Sequence, residues 1–198
     1  MIITQLKNPK TDQYNQLKNY ILSNNFPWYH QQELLIDKHI KHKTSPYILL
    51  DLENDKQYHN VPYFSHAILM RPTENEKYSK VNSKDILQFQ TVLNEIFNFN
   101  NLELKCLFRI NVNLITPKNE VQVIPPHCDH PWPHKNMIIY LTDAGGKTLV
   151  ETEYKSSSYE YHDPKEDDIT IFSGYPERHC ADWGSVEKNR VIIVATYI

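Results

Sequence analysis

The chain carries only 4 Gly, two of them adjacent at Gly145-Gly146, and it shows neither an internal repeat nor a low-complexity linker. Twelve Pro are spread along it instead, so its connections read as stiff. Cysteine is scarce as well. Cys106, Cys128 and Cys180 make an odd number, which gives no disulfide framework and suits a reducing compartment. Long apolar runs are missing; a stretch such as Val191 to Thr196 falls far short of the roughly 18 residues a membrane span needs. The opening residues, Met1 to Asn8, lack the basic-then-apolar layout of a secretory signal, so the expected location is the cytoplasm. Charge of one sign is lacking too. A net charge of -3 gives no global electrostatic case for nucleic acid or an anionic membrane, and Lys7, Lys10, Lys38, Lys41 and Lys43 read as solvated charge.

What is present is the material of a folded core. The 198 residues are 40% hydrophobic and 23% charged, close enough to globular averages to exclude wholesale disorder. Aromatics reach 12%, with 13 Tyr against 3 Met, so a core rich in rings is expected. The length suits one domain and needs no disulfides.

Two helices are expected. Residues 11–24 carry Tyr14, Leu17, Tyr20 and Ile21 on one face, with Thr11 as cap. Residues 83–98 carry Ile86, Phe89, Leu93, Ile96 and Phe97, with Ser83 as cap. Between them, Tyr47 to Leu50 and Phe64 to Met70 look strand-like. From 104 onward the character changes. Leu107 to Ile115, Asn136 to Leu141, Thr148 to Tyr154, Asp168 to Phe172 and Arg190 to Ile198 read as strands, separated by Pro, Gly, Asp and Ser clusters. The expected architecture is a single unit, 1–198. A helical and mixed part, 1–103, packs on an antiparallel sandwich or barrel, 104–198, that reads as complete within itself.

The most unusual segment runs Pro125-Pro126-His127-Cys128-Asp129-His130-Pro131-Trp132-Pro133-His134. In an extended strand, side chains two apart share a face, so His127 and Asp129 can converge on one metal ion. A third ligand must come from elsewhere, and His179, just past a predicted strand, is a candidate. Two His and a carboxylate on one side of an ion leave the opposite positions open, which suits non-haem Fe(II) and oxygen chemistry. A zinc cluster of His127, His130 and His134 is the competing count. Pro131 and Pro133 forbid the helix that would align it, and Cys128 has no near Cys partner. His130, Trp132 and His134 are therefore read as the rim where substrate enters, with plain packing as the duller account of Trp132.

Arg190 opens the last strand, whose two faces are both apolar. Buried there, it needs an anionic partner, and a guanidinium matches a carboxylate through two parallel hydrogen bonds. Asp182 or Glu187 could supply that carboxylate within the chain. On strand 107–115, Arg109, Asn111 and Asn113 share one face, either a wet cavity or a solvent face. Cys180 reads as a small buried hydrophobe.

These residues together resemble the Fe(II)- and 2-oxoglutarate-dependent dioxygenases. The pattern His-x-Asp, distant His, then Arg is met by His127-Cys128-Asp129, His179 and Arg190. Tyr140-Leu-Thr-Asp-Ala-Gly-Gly-Lys-Thr resembles the tyrosine-plus-Gly-Gly-x-Thr segment of the prolyl 4-hydroxylase-like branch. Arg109-Ile-Asn-Val-Asn-Leu, Phe26-Pro-Trp-Tyr and Phe64-Ser-His are similar to segments of short oxygenase-like proteins of tailed bacteriophages, which would put the protein in a host cytoplasm. The specific motifs cover about residues 107–198.

The resemblance implies a double-stranded β-helix, or jelly-roll, core with flanking helices. It implies Fe(II) held by His127, Asp129 and His179. It implies 2-oxoglutarate bound to the iron through its keto group and one carboxylate, with Arg190 pairing the other carboxylate. Tyr140 and Asn113 are the further cosubstrate contacts expected, with Thr148 and Asn111 the weaker ones. Trp132 and His130 are expected at the substrate. Molecular oxygen and an unknown organic substrate complete the reaction, with ascorbate as a stimulant. The substrate is hydroxylated or oxidatively demethylated, and the prolyl-hydroxylase-like segment favours an amino-acid or peptidyl side chain. Two readings compete: a non-catalytic jelly-roll module that binds metal or ligand, and a cupin-like metalloenzyme that does not use 2-oxoglutarate. Only the 2-oxoglutarate reading needs a cation at position 190.

Overall fold

A computed structural model describes residues 2–31, 62–72, 77–117, 126–182 and 186–198. The strand-like stretch Tyr47 to Leu50 and the lysines Lys38, Lys41 and Lys43 lie outside the described residues, as does Pro125.

Along the described residues the elements are β1 (Thr4–Leu6), α1 (Asp12–Ile21), β2 (Tyr29–Gln31), β3 (Tyr63–Met70), β4 (Lys80–Val81), α2 (Ile86–Phe99), β5 (Leu107–Ile115), β6 (Lys135–Tyr140), β7 (Thr148–Glu151), β8 (Tyr159–His162), β9 (Ile169–Ser173), β10 (His179–Ala181) and β11 (Arg190–Tyr197). They build a mainly β jelly roll with two helices. The larger sheet runs β1-β9-β6-β11-β5-β3-β2, with β4 added to β3, and the smaller runs β10-β7-β8. All the pairings are antiparallel.

The two helices form for local reasons. Thr11 sits in extended backbone, and its hydroxyl accepts the Tyr14 N–H at 3.1 Å, as the sequence predicts. That same hydroxyl donates to Glu95 on α2, so the cap also ties the helices together. At α2 the expectation needs correction. Ser83 does not cap the helix proper. It closes a preceding turn, accepting the Asp85 N–H at 3.2 Å, and the helix starts at Ile86. The Asp85 carboxylate, which could have capped, instead accepts from the Tyr20 hydroxyl at 3.1 Å.

Strand alternation then divides the large sheet into two unlike faces. Val191, Ile193, Ala195 and Tyr197 of β11 join Ile110 and Val112 of β5 and the inner faces of both helices in one apolar cluster. Each fully buried side chain of this kind contributes roughly 1.5–3 kcal/mol. The opposite face carries Arg190, Ile192, Val194 and Thr196. Register places these against Ile115, Asn113, Asn111 and Arg109 on β5, and Ile192, Val194 and Thr196 against Tyr140, Ile138 and Asn136 on β6. Val150 of the small sheet meets this second face in a separate cluster with Ile138, Tyr140, Phe172, Ile192 and Val194. The polar residues of β5 therefore point into the jelly roll and not into solvent.

The boundary expected near residue 103 does not divide the sheet. β1 pairs with β9 on one side, and β3 pairs with β5 on the other, register Ser65↔Asn113. The C-terminal strands are thus not complete by themselves, because strands from the N-terminal part extend both edges of their sheet.

Candidate metal centre

His127 lies before β6 in a segment with few ladder bonds of its own. It joins the small sheet through a single bridge, with His127 N–H to His179 O and His179 N–H to His127 O both at 2.9 Å. This bridge sets the two imidazoles side by side, ring centroids 4.4 Å apart. Asp129, two residues on, returns to the same place. One ligand atom from each of His127, Asp129 and His179 falls within 4.8 Å of the other two. The His-x-Asp spacing and the distant His thus converge in space.

The electrostatics of the cluster suit a cation. Asp129 is buried, which alone would raise its pKa. Arg109, His179, Arg71 and His127 overcome that and hold its carboxyl well below the usual range. Burial, and then the neighbouring His127, push His179 down to about 3, so its ring stays neutral and can offer a lone pair. Two imidazoles and a carboxylate make a donor set that fits Fe(II) or a similar divalent ion. Asn136 Nδ2 is placed 3.4 Å from His179 Nδ1, while Asn136 Oδ1 is buried without a partner. A half-turn of the amide satisfies both: Oδ1 accepts from Nδ1–H, leaving the Nε2 lone pair of His179 directed at the ion position.

A second group of the predicted residues gathers around Arg190. Its side chain is 2% exposed, and no carboxylate pairs with it among the described residues, so Asp182 and Glu187 do not fill that place there. It donates to Thr148 Oγ1 at 3.3 Å, lies 5.4 Å from the centroid of the Tyr140 ring, and leaves Nε without a partner. Burial lowers its pKa from the ordinary arginine value. Tyr140 and Thr148 share a hydrogen bond of 2.8 Å between their hydroxyls. Thr170 faces the same phenol from β9, and its buried hydroxyl makes no sound hydrogen bond. Gly146 has φ +80°, and a Cβ there would stand 2.6 Å from Arg190 Cδ. Gly146 thus leaves the room in which the guanidinium lies.

Of the remaining predicted residues, Asn113 is buried and accepts from Asn111 Nδ2, and no hydrogen bond joins it to Arg190. His130 is not on a rim. It is fully buried, its Nε2 is 2.7 Å from Thr196 Oγ1, and Trp132 stacks on it at 4.9 Å. His134 is buried as well, its Nδ1 at 2.7 Å from Trp132 O, while Trp132 keeps partial exposure. The physical reason is the proline-bounded turn, which folds these rings inward onto one another and leaves the indole outermost. Cys128 and Cys180 are both buried thiols, and burial raises each to about 12, as inert small hydrophobes.

Sequence reasoning missed several neighbours of the triad. Arg109 Nη1 lies 2.5 Å from Asp129 Oδ1. Glu151, 0% exposed, accepts from the backbone N–H and the guanidinium of Arg178, the residue just before His179. Thr170 and Asn136 were also unmarked. Alternation on β5 signalled that Arg109 shares a face with Asn111 and Asn113, but its partner depends on how β5 and a segment 20 residues further on, outside any strand, are brought together.

No protein-family model matches the chain, and no curated protein matches it. Solved structures do. An oxidoreductase of the 2OG-Fe(II) oxygenase family from Burkholderia pseudomallei superposes with TM-score 0.62 at 12% identity, over 99% of this chain and 84% of that one. The non-haem alpha-ketoglutarate-dependent epimerase SnoN of nogalamycin biosynthesis gives TM-score 0.56 at 13% identity, over 100% of this chain and 77% of that one. At such identities the likeness is one of fold: the chain has the jelly roll of these oxygenases.

Proposed function

We propose that the protein is an Fe(II)- and 2-oxoglutarate-dependent dioxygenase. One observation carries the reading: a buried guanidinium, Arg190, that no carboxylate among the described residues pairs, in the same jelly roll as a His-Asp-His ligand cluster. A buried cation without an anion is costly, and a ligand that brings a carboxylate removes the cost. 2-Oxoglutarate has one carboxylate for Arg190 and a keto acid group for the metal. His127, Asp129 and His179 would hold the iron, which supplies oxygen activation when bound.

The chain's own residues bind and orient. Arg190 receives the distal carboxylate through two nitrogens, and Thr148, Tyr140 and Thr170 offer hydroxyls around it. His179 stays neutral, kept so by burial, and thus remains a ligand at neutral pH. The apolar face formed by Ile138, Phe172, Ile192 and Val194 excludes water from the cosubstrate's carbon chain. The overall reaction consumes 2-oxoglutarate, O2 and a substrate C–H, and it yields succinate, CO2 and the hydroxylated product, or a demethylated one after loss of formaldehyde. The resemblance of Tyr140 to Thr148 to the prolyl 4-hydroxylase-like segment favours an amino-acid or peptidyl side chain.

The test is succinate formation from 2-oxoglutarate by the purified protein with Fe(II), ascorbate and O2, beside an Asp129→Ala control. Turnover that vanishes in the control is expected. Anaerobic Fe(II) with 2-oxoglutarate should also give the weak visible band of the chelate. If neither turnover nor band is seen, the dioxygenase reading fails. Metal binding that is indifferent to 2-oxoglutarate would point to a cupin-like enzyme instead.

A further inference from the structure

We propose that Arg109 is a positioning residue that makes Asp129 a one-oxygen metal ligand; the inference rests on the metal-centre reading above. Arg109 is the third residue of β5, opposite Thr196 of β11, and its side chain enters the jelly roll. Its Nη1 lies 2.5 Å from Asp129 Oδ1. The other oxygen, Oδ2, is turned to His179, 3.5 Å from Nε2. The two oxygens of this carboxylate are therefore not equivalent: one is committed to a guanidinium, and the other faces the ligand cluster.

Nothing local would keep them apart. Asp129 lies two residues past the bridge at His127 and belongs to no strand, so a ladder does not orient its side chain. A carboxylate free to turn about its last torsion exchanges its oxygens and can also offer both to one ion. The arginine blocks that exchange. Arg71, which follows β3, donates to the Asp129 main-chain oxygen, so the residue is held at its backbone as well as at its carboxylate. The side chain of Asp129 is 5% exposed and that of Arg109 18%, so water competes weakly for the pair. Limiting Asp129 to one oxygen conserves a coordination position for a ligand from outside the chain. Outer-shell partners of metal ligands typically matter by about 10–100-fold in metal affinity.

The test uses Mn(II) and Co(II) binding to the full chain, which do not depend on turnover. Titration calorimetry with Mn(II) is run on wild type, Asp129→Ala, Arg109→Leu, Arg109→Gln and Arg109→Lys, with thermal unfolding as the folding control. Arg109→Leu should weaken Mn(II) by about 10–100-fold. Arg109→Lys and Arg109→Gln, which keep a donor for Oδ1, should recover part of that loss. They also serve if the leucine variant does not fold. The Co(II) visible spectrum should change for Arg109→Leu, as the carboxylate passes from one-oxygen to two-oxygen binding, and should stay close to wild type for Arg109→Lys. A purely structural arginine would move the melting temperature without moving that spectrum. Folded variants with wild-type Mn(II) affinity and a wild-type Co(II) spectrum would overturn the role of Arg109 alone. A wild-type protein that binds Mn(II) no better than Asp129→Ala would overturn the metal-centre reading and this inference with it.

Discussion

Replacing Arg190 by Met should stabilise the ligand-free protein and remove most of the stabilisation that 2-oxoglutarate confers. The sign follows from the environment. Arg190 is buried, meets Thr148 Oγ1 at 3.3 Å, and leaves Nε unpartnered. An unsatisfied buried donor costs about 1–3 kcal/mol, and more where it is charged. Methionine fills a similar volume without a donor and adapts its shape. Unfolding temperature moves by about 2–4 °C per kcal/mol in chains of this size, so the ligand-free variant should melt several degrees higher. Ligand at about 100 times its Kd stabilises wild type by about 2.7 kcal/mol, or about 5–11 °C. Losing a charge-assisted carboxylate pair worth about 1.5–3 kcal/mol leaves about 0.3–1.3 kcal/mol of that increment at the same concentration. The assay is anaerobic thermal unfolding with Mn(II) in place of iron, with and without 2-oxoglutarate. A variant that melts lower than wild type and still gains the full wild-type increment would refute the reasoning and make Arg190 structural.

Two further outcomes concern parts of the frame around the site. Glu151→Ala should cost about 3–5 kcal/mol, because it strips the carboxylate from a buried pair with Arg178 and removes the acceptor of the Arg178 N–H at 3.0 Å. Urea unfolding checks this, and a loss below about 1 kcal/mol would show that the pair does not hold the approach to His179. Asp167→Asn should flatten the acid limb of the stability curve. Burial raises the Asp167 pKa, but bonds from Lys18, Tyr14 and Lys10 outweigh it and leave the carboxyl below its ordinary value. A carboxyl depressed in the folded state contributes stability above its unfolded pKa of about 3.9, and that contribution is lost as pH falls through the lower folded value. Unfolding free energies measured from pH 7 down to about pH 2 should therefore diverge most at neutral pH and converge in acid; parallel curves would sink the assignment.

The two kinds of information separate cleanly along this chain. The cap at Thr11, the apolar stripe from Phe89 to Phe97 and the alternation of β5 and β11 act within a few residues, and each is readable from the residues themselves. So is the pairing of His127 with Asp129, since residues two apart in extended backbone share a face whatever the rest of the fold does. Where the reading failed, the interaction was distant or depended on context. Ser83 is a good cap by type, yet Tyr20, 65 residues before Asp85, helps decide where α2 begins by engaging the Asp85 carboxylate. His130 and His134 looked like rim residues by polarity, and only the inward fold of their proline-bounded turn buries them. β1 and β3 join the large sheet from far back in the chain, which no composition shift near residue 103 announces. The meeting of Arg190, Tyr140, Thr148 and Thr170 depends on strand register, and the pairing of Arg109 with Asp129 depends on how the turn after His127 is brought to β5. Spacing in sequence therefore determines which side chains can share a face, whereas register and the closure of one sheet over the other decide which of them meet.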